Sequence, residues 1–94
     1  MNAHLAETLG QLLLANGQCV TTAESCTGGM ISAAITDISG SSSWFERGFV
    51  VYSNEAKCEM LGVSASIIAE HGAVSEPVVR ALAANARLAA GADW

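Results

Sequence analysis

Leu5, Leu9, Leu12 and Leu13 fall at i, i+4, i+7 and i+8, the apolar stripe of a helix that buries one face. Asn16-Gly17 supplies the stop, because glycine takes the left-handed conformation that ends helices. Cys19-Val20-Thr21-Thr22-Ala23 is short, β-branched and without a polar face, which predicts a strand covered on both sides. Polar, glycine-rich Glu24 to Gly29 follows, and a second helix starts within it, with Ile31, Ala34, Ile35 and Ile38 as its buried face. Ser39 to Ser43 reads as a loop, Trp44-Phe45 as the anchor at its far end, and Gly48 to Tyr52 as a second strand.

Beyond the second strand the pattern is helical. Ser53-Asn54 caps a short helix that runs to Leu61 and stops at Gly62, and Ser64 caps another reaching Glu70. His71-Gly72 breaks the pattern. Ser75-Glu76-Pro77 then opens a last helix, with the serine as cap and proline in the first turn, whose apolar face is Val79, Leu82, Ala83, Ala86 and Ala90. Gly91-Ala92-Asp93-Trp94 resembles the start of a further strand.

The order α-β-α-β-α-α-α places the chain in the α/β class as one domain over residues 1–94. Two strands make a poor sheet by themselves, and a layered α/β domain uses several more. The expectation is a domain incomplete on its C-terminal side, or one whose missing strands come from elsewhere.

Composition narrows the choice of partners. Half of the residues are hydrophobic (51%), but much of that is alanine, so the core removes little apolar area per residue. The net charge is −5, and the basic residues Arg47, Lys57, Arg80 and Arg87 form no run or stripe. That excludes a phosphate-tracking surface, so no direct nucleic-acid binding is expected. Leu12-Leu13-Leu14-Ala15 is too short for a membrane span or the apolar part of a signal peptide. With no export signal, Cys19, Cys26 and Cys58 are expected to be free, buried thiols in a reducing cytoplasm. The two histidines, His4 and His71, lack partners at metal-ligand spacing, so no metal site is expected.

The stretch with most chemical content is Thr22-Ala23-Glu24-Ser25-Cys26-Thr27-Gly28-Gly29. A serine at a strand-to-helix turn stands above the sheet edge among backbone N–H groups that suit an anion or a developing oxyanion. Gly28 and Gly29 allow a ligand close to the backbone. Ser25 or Thr27 serves equally well as a helix cap. Cys26 is a rival nucleophile near the same helix start, against the commoner role of a small buried apolar residue.

Tyr52-Ser53-Asn54-Glu55-Ala56-Lys57 lies at the end of the second strand. If the strands are parallel neighbours, Tyr52 and Ser25 emerge at one sheet edge, where ligands of open α/β folds gather. Lys57, one turn into the helix, then points back toward them. A neutral lysine can act as base for a serine and a tyrosine can relay the proton, although a solvated lysine is the plainer reading. His71 is a second acid or base, or a structural residue beside a helix cap.

Taken together, T-T-A-E-S-C-T-G-G, the segment Gly40 to Gly48, V-V-Y-S-N-E-A-K and H-G-A-V-S-E-P resemble the CinA C-terminal family, in order and over nearly the whole chain. The resemblance implies a three-layer α/β/α domain that hydrolyses the carboxamide of nicotinamide mononucleotide to nicotinic acid mononucleotide and ammonia. It implies Ser25 as nucleophile, Lys57 as general base and Tyr52 as the residue assisting proton transfer, with no metal or organic cofactor. Thr27, Gly28, Gly29 and Asn54 are the expected substrate-contacting positions. Complete members continue past the position of Asp93-Trp94 with a strand, an S-G-I-A-G-P motif and a substrate-engaging arginine, none of which is in this sequence. Two other readings stand beside the amidohydrolase. One is a nucleotide-binding or competence-associated regulatory module without catalysis. The other is an incomplete chain whose exposed sheet edge pairs with a second copy.

Overall fold

The computed structural model describes residues 1–94. Its elements are helix α1 (Ala3–Asn16), strand β1 (Val20–Glu24), helix α2 (Met30–Thr36), a 3-10 turn (Ser41–Ser43), strand β2 (Phe45–Val50), and helices α3 (Asn54–Leu61), α4 (Ala65–His71) and α5 (Glu76–Ala90). This is the order read from the sequence, with several boundaries moved; the first strand, Val20–Glu24, lies one residue later than expected. The second strand begins at Phe45, not Gly48, and ends before Tyr52. The second helix begins only at Met30, because Gly28 and Gly29 hold positive φ (65° and 112°) and keep the preceding turn out of the helix.

β1 and β2 pair in parallel, with Val20 opposite Phe45, Thr22 opposite Gly48 and Glu24 opposite Val50. The register slips between Val20 and Thr22, where β2 carries an extra residue, and the Thr21 hydroxyl donates to the Arg47 carbonyl at that irregularity. The opposite edge of β1 is also engaged. Thr21 N–H donates to the Trp94 carbonyl (2.9 Å) and Trp94 N–H to the Cys19 carbonyl (3.2 Å), the alternation of a parallel ladder. The residues read as the start of a strand therefore lie along β1, and Asp93 adds a side-chain bond to Cys19 N–H.

Helices cover both faces, giving an α/β/α sandwich around the pair. On one face Leu13, Ile35 and Trp44 form a small core with Val20 and Phe45 at its border. On the other, Val51, Leu61, Val63, Ile68, Val78, Leu82 and Ala86 form the larger core, bordered by Ala23 and Phe49. Trp44 does anchor the loop before β2, as its sequence position suggests. It is buried against α1 at Gly10, where any Cβ would overlap the indole.

The helical stripes are narrower than the apolar pattern suggests. In α1 the buried positions are Ala6, Gly10 and Leu13, while Leu5 and Leu12 are exposed. In α2 only Ile35 is buried; Ile31 is exposed and Ile38 lies past the helix end. In α5 the buried row is Val78, Leu82 and Ala86, and Val79 is exposed. Leu13, Ile35, Leu82 and Ala86 of the expected faces are buried, and in α1 the small residues Ala6 and Gly10, which carry little hydropathy signal, take the places expected of Leu5 and Leu9. The cysteines are free, but Cys26 is exposed and Cys19 and Cys58 only half-buried, contrary to the expected burial. No helix is long and apolar enough to cross a membrane.

Candidate active site

The C-terminal ends of both parallel strands open on one edge of the sheet, and each leads into a helix. From β1 the chain enters the turn Ser25 to Gly29. From β2 it passes Val51 and Tyr52 and enters α3, capped by the Ser53 hydroxyl, which accepts from Ala56 N–H (3.0 Å). This parallel pairing brings the two expected segments together. Ser25, Cys26 and Lys57 line one open cavity of ≈ 390 Å³ together with the apolar Val74, Val79 and Leu82.

Lys57 is the buried member, 3% exposed, so the solvated reading of this lysine does not apply. Its position one turn into α3 points the side chain back toward the strand end. There Nζ donates to the Tyr52 carbonyl at 2.8 Å, and no carboxylate is paired with it. The Ser25 hydroxyl donates to the same carbonyl at 3.5 Å. One main-chain oxygen thus gathers the candidate nucleophile and the candidate base. The Tyr52 phenol is 73% exposed and does not line the cavity.

The turn around Ser25 is shaped from within and from below. Gly28 N–H donates to the Ser25 carbonyl (3.0 Å), while the N–H groups of Cys26 and Thr27 have no backbone acceptor. Thr27 directs its hydroxyl to the Glu24 carboxylate (2.7 Å), away from the cavity. Gly28 and Gly29 shape the turn through their positive φ. Asn54, the first residue of α3, borders a neighbouring cavity between α3 and α4. Of the seven expected site residues, the fold brings Ser25, Lys57 and the Tyr52 main chain into contact and places Thr27, Gly28 and Gly29 in the supporting turn.

Glu24 was not singled out from the sequence. It is buried, 3% exposed, and its carboxylate accepts from Thr27, from Ile31 N–H and from both the N–H and hydroxyl of Ser32. Burial, the largest single influence, pushes its pKa up, but these hydrogen bonds together outweigh it and hold the carboxyl below its ordinary range. The available signal was the helix start itself. Gly29 has no side chain with which to cap α2, so a polar residue elsewhere had to supply the cap.

The three arginines are engaged away from the cavity. Arg47 is paired with Glu46, Arg80 with Glu76 (2.8 Å), and Arg87 donates to the Ala92 carbonyl (3.4 Å). His71 ends α4 exposed, with Nε2 3.8 Å from Glu70 and no place in the cavity. No group of histidines, cysteines and carboxylates is arranged to hold a metal ion.

Comparison with known proteins agrees with this architecture. The chain is 62% identical over 90 residues to the nicotinamide-nucleotide amidohydrolase PncC of Escherichia coli K12, covering 96% of this chain and 54% of that protein. It is 52% identical over 89 residues to a putative competence-damage inducible protein of Symbiobacterium thermophilum, covering 95% of this chain and 21% of that protein. Among solved structures, it superposes on competence damage-inducible protein A from Klebsiella pneumoniae with a TM-score of 0.94 at 39% identity, covering 99% of this chain and 58% of that one. The corresponding Agrobacterium tumefaciens protein gives a TM-score of 0.94 at 42% identity, over 97% of this chain and 55% of that one. The chain therefore spans about half the length of the amidohydrolase relative. Residues 2–94 match the family described as the CinA C-terminal domain, and the chain belongs to that family.

Proposed function

We propose that this chain carries the reacting side chains of a nicotinamide-nucleotide amidohydrolase, with Ser25 as nucleophile and Lys57 as general base. The observation that supports the reading most is the shared Tyr52 carbonyl, which holds the Ser25 hydroxyl and the buried Lys57 amine beside one another in a cavity. The relatives' name supplies the substrate class: a nicotinamide nucleotide, attacked at its carboxamide. Apolar Val74, Val79 and Leu82 offer a wall suited to a flat pyridine ring.

In this mechanism Lys57, in its uncharged form, takes the Ser25 proton as the serine oxygen attacks the carboxamide carbon. The N–H groups of Cys26 and Thr27 donate to the oxyanion that forms. Collapse breaks the C–N bond, the leaving nitrogen takes the proton from Lys57, and ammonia departs. Water, deprotonated by Lys57, then cleaves the acyl ester, releasing the nicotinic acid nucleotide and restoring Ser25. Tyr52 takes part through its carbonyl, and its phenol, exposed and outside the cavity lining, is given no step. Thr27, Gly28 and Gly29 shape the oxyanion side of the site, and Asn54 lies on the side of the neighbouring cavity.

The test is ammonia release from nicotinamide mononucleotide by the chain, compared with Ser25→Ala. Turnover that falls at least ~10³-fold in the variant supports the reading. Saturable nucleotide binding without ammonia release contradicts it and favours a binding module.

A further inference from the structure

Glu24 is the one acidic side chain buried in this protein, and the reaction above gives it no task. Its main chain is fixed in the sheet, paired with Val50, and its carbonyl accepts from Val51 N–H at 2.8 Å. Its carboxylate reaches over the turn to the far side. Oε1 accepts from the Thr27 hydroxyl (2.7 Å) and Ile31 N–H (2.8 Å), and Oε2 from Ser32 N–H (3.1 Å) and the Ser32 hydroxyl (2.9 Å). Ser32 is in turn held to β1 through the Thr22 hydroxyl (2.8 Å).

Both ends of the segment that carries Ser25 are thus fastened to one residue. A helix cap ordinarily comes from the residue next to the helix and uses one acceptor. Here a strand residue commits both carboxylate oxygens, while the position beside the helix is Gly29. The turn between contains two glycines at positive φ, so little of its own chain resists distortion.

We infer that Glu24 is a positioning residue for Ser25, its carboxylate fixing the turn so that the serine hydroxyl stays at the Tyr52 carbonyl beside Lys57. The inference rests on the reading of Ser25 as nucleophile. A carboxylate that merely anchors α2 contributes stability without governing Ser25. The two roles separate because a positioning residue changes the rate of bond formation at Ser25 more than the affinity for what binds there.

The experiment follows labelling of Ser25 in the chain by an alkyl fluorophosphonate. In that reaction the serine oxygen bonds phosphorus, fluoride leaves and Lys57 takes the proton. The saturating rate and the half-saturating concentration are measured together with amide hydrogen exchange at Ile31 and Ser32. Glu24→Gln keeps the size of the side chain but cannot accept at all four donors. It is expected to lower the saturating rate about 10-fold or more, with little change in half-saturation, and to speed exchange at both amides. Asn85→Ala is the control for general destabilisation, since it removes only the bond from Asn85 to the Leu61 carbonyl (2.7 Å). It is expected to leave the labelling rate in place. A native labelling rate in Glu24→Gln, or an equal loss in both variants, overturns the inference. If Glu24→Gln does not fold, Ser32→Ala removes one arm of the clamp and carries the same readouts. If the native protein takes no label, the nucleophile reading fails by itself. Exchange at Ile31 and Ser32 then tests the clamp beneath the turn separately, and native protection in Glu24→Gln overturns it.

Discussion

The two strands leave the sheet at one edge and each runs into a helix, yet the two corners are built on different plans. After β2 the corner is local: Ser53 caps α3 from the adjacent position, and the chain turns within Val51 to Ser53. After β1 the corner is long: five residues, Ser25 to Gly29, separate strand from helix, and the cap comes from Glu24 behind them. The short corner is a rigid support that delivers Lys57. The long corner frees a serine to line a cavity, with a buried carboxylate fastening the helix end behind it. In this fold the corner that exposes the candidate serine is the one without a local cap.

The largest effect separating the corners falls on activity. Lys57→Met replaces the buried amine with an apolar group of similar length, and turnover of nicotinamide mononucleotide is expected to fall ~10²–10⁴-fold while thermal stability holds or rises. Stability comes next. Glu24→Ala strands the donors of Ile31 and Ser32 and is expected to cost about 2–4 kcal/mol in denaturant unfolding. Ser53→Ala, at the locally capped corner, is expected to cost only ~1 kcal/mol. Equal losses at the two corners would erase the distinction between them.

Acid sharpens the same contrast. Because the folded state holds the Glu24 carboxyl below its ordinary range, its contribution is fully present above the unfolded pKa and is lost as pH falls through the lowered folded value. A melting-temperature series against pH should show this acid-side loss in the native chain and a flatter curve in Glu24→Gln. The smallest effect belongs to Tyr52→Phe. The Tyr52 carbonyl gathers Ser25 and Lys57 and survives the substitution, so the loss in turnover should stay well below the ~100-fold that marks a positioned general acid or base. A larger loss would assign the phenol a place inside the site.

The order of elements was legible because caps and β-branched runs are local signals, whereas the parallel pairing entered the sequence reading only as a condition and is settled by the structure. Ser53, Ser64 and Ser75 each cap the helix that the sequence assigns to them. The buried faces were less legible. Gly10 and Ala6 in α1 and Val78 in place of Val79 in α5 are chosen by how closely a neighbour approaches, which hydropathy does not encode. Gly48 is the same kind of case: a Cβ there would overlap the hydroxyls of Thr22 and Ser32, so its absence lets α2 pack on the strand pair. In the site, Ser25 and Lys57 were legible from their places after the two strands. The clamp by Glu24 was not, because its partners lie seven and eight residues along the chain and meet it only once α2 has formed. Nor was the exposure of Cys26, which lines the same cavity as Ser25.

That neighbouring thiol makes the most direct measurement a question of which atom forms the bond. The chain is mixed with nicotinamide mononucleotide, quenched in acid during turnover, digested and mapped by mass. A nicotinoyl-nucleotide adduct on the Ser25 hydroxyl is predicted, absent from Ser25→Ala and retained in Cys26→Ala. An adduct on Cys26, or ammonia release that persists undiminished in Ser25→Ala, would contradict the serine mechanism.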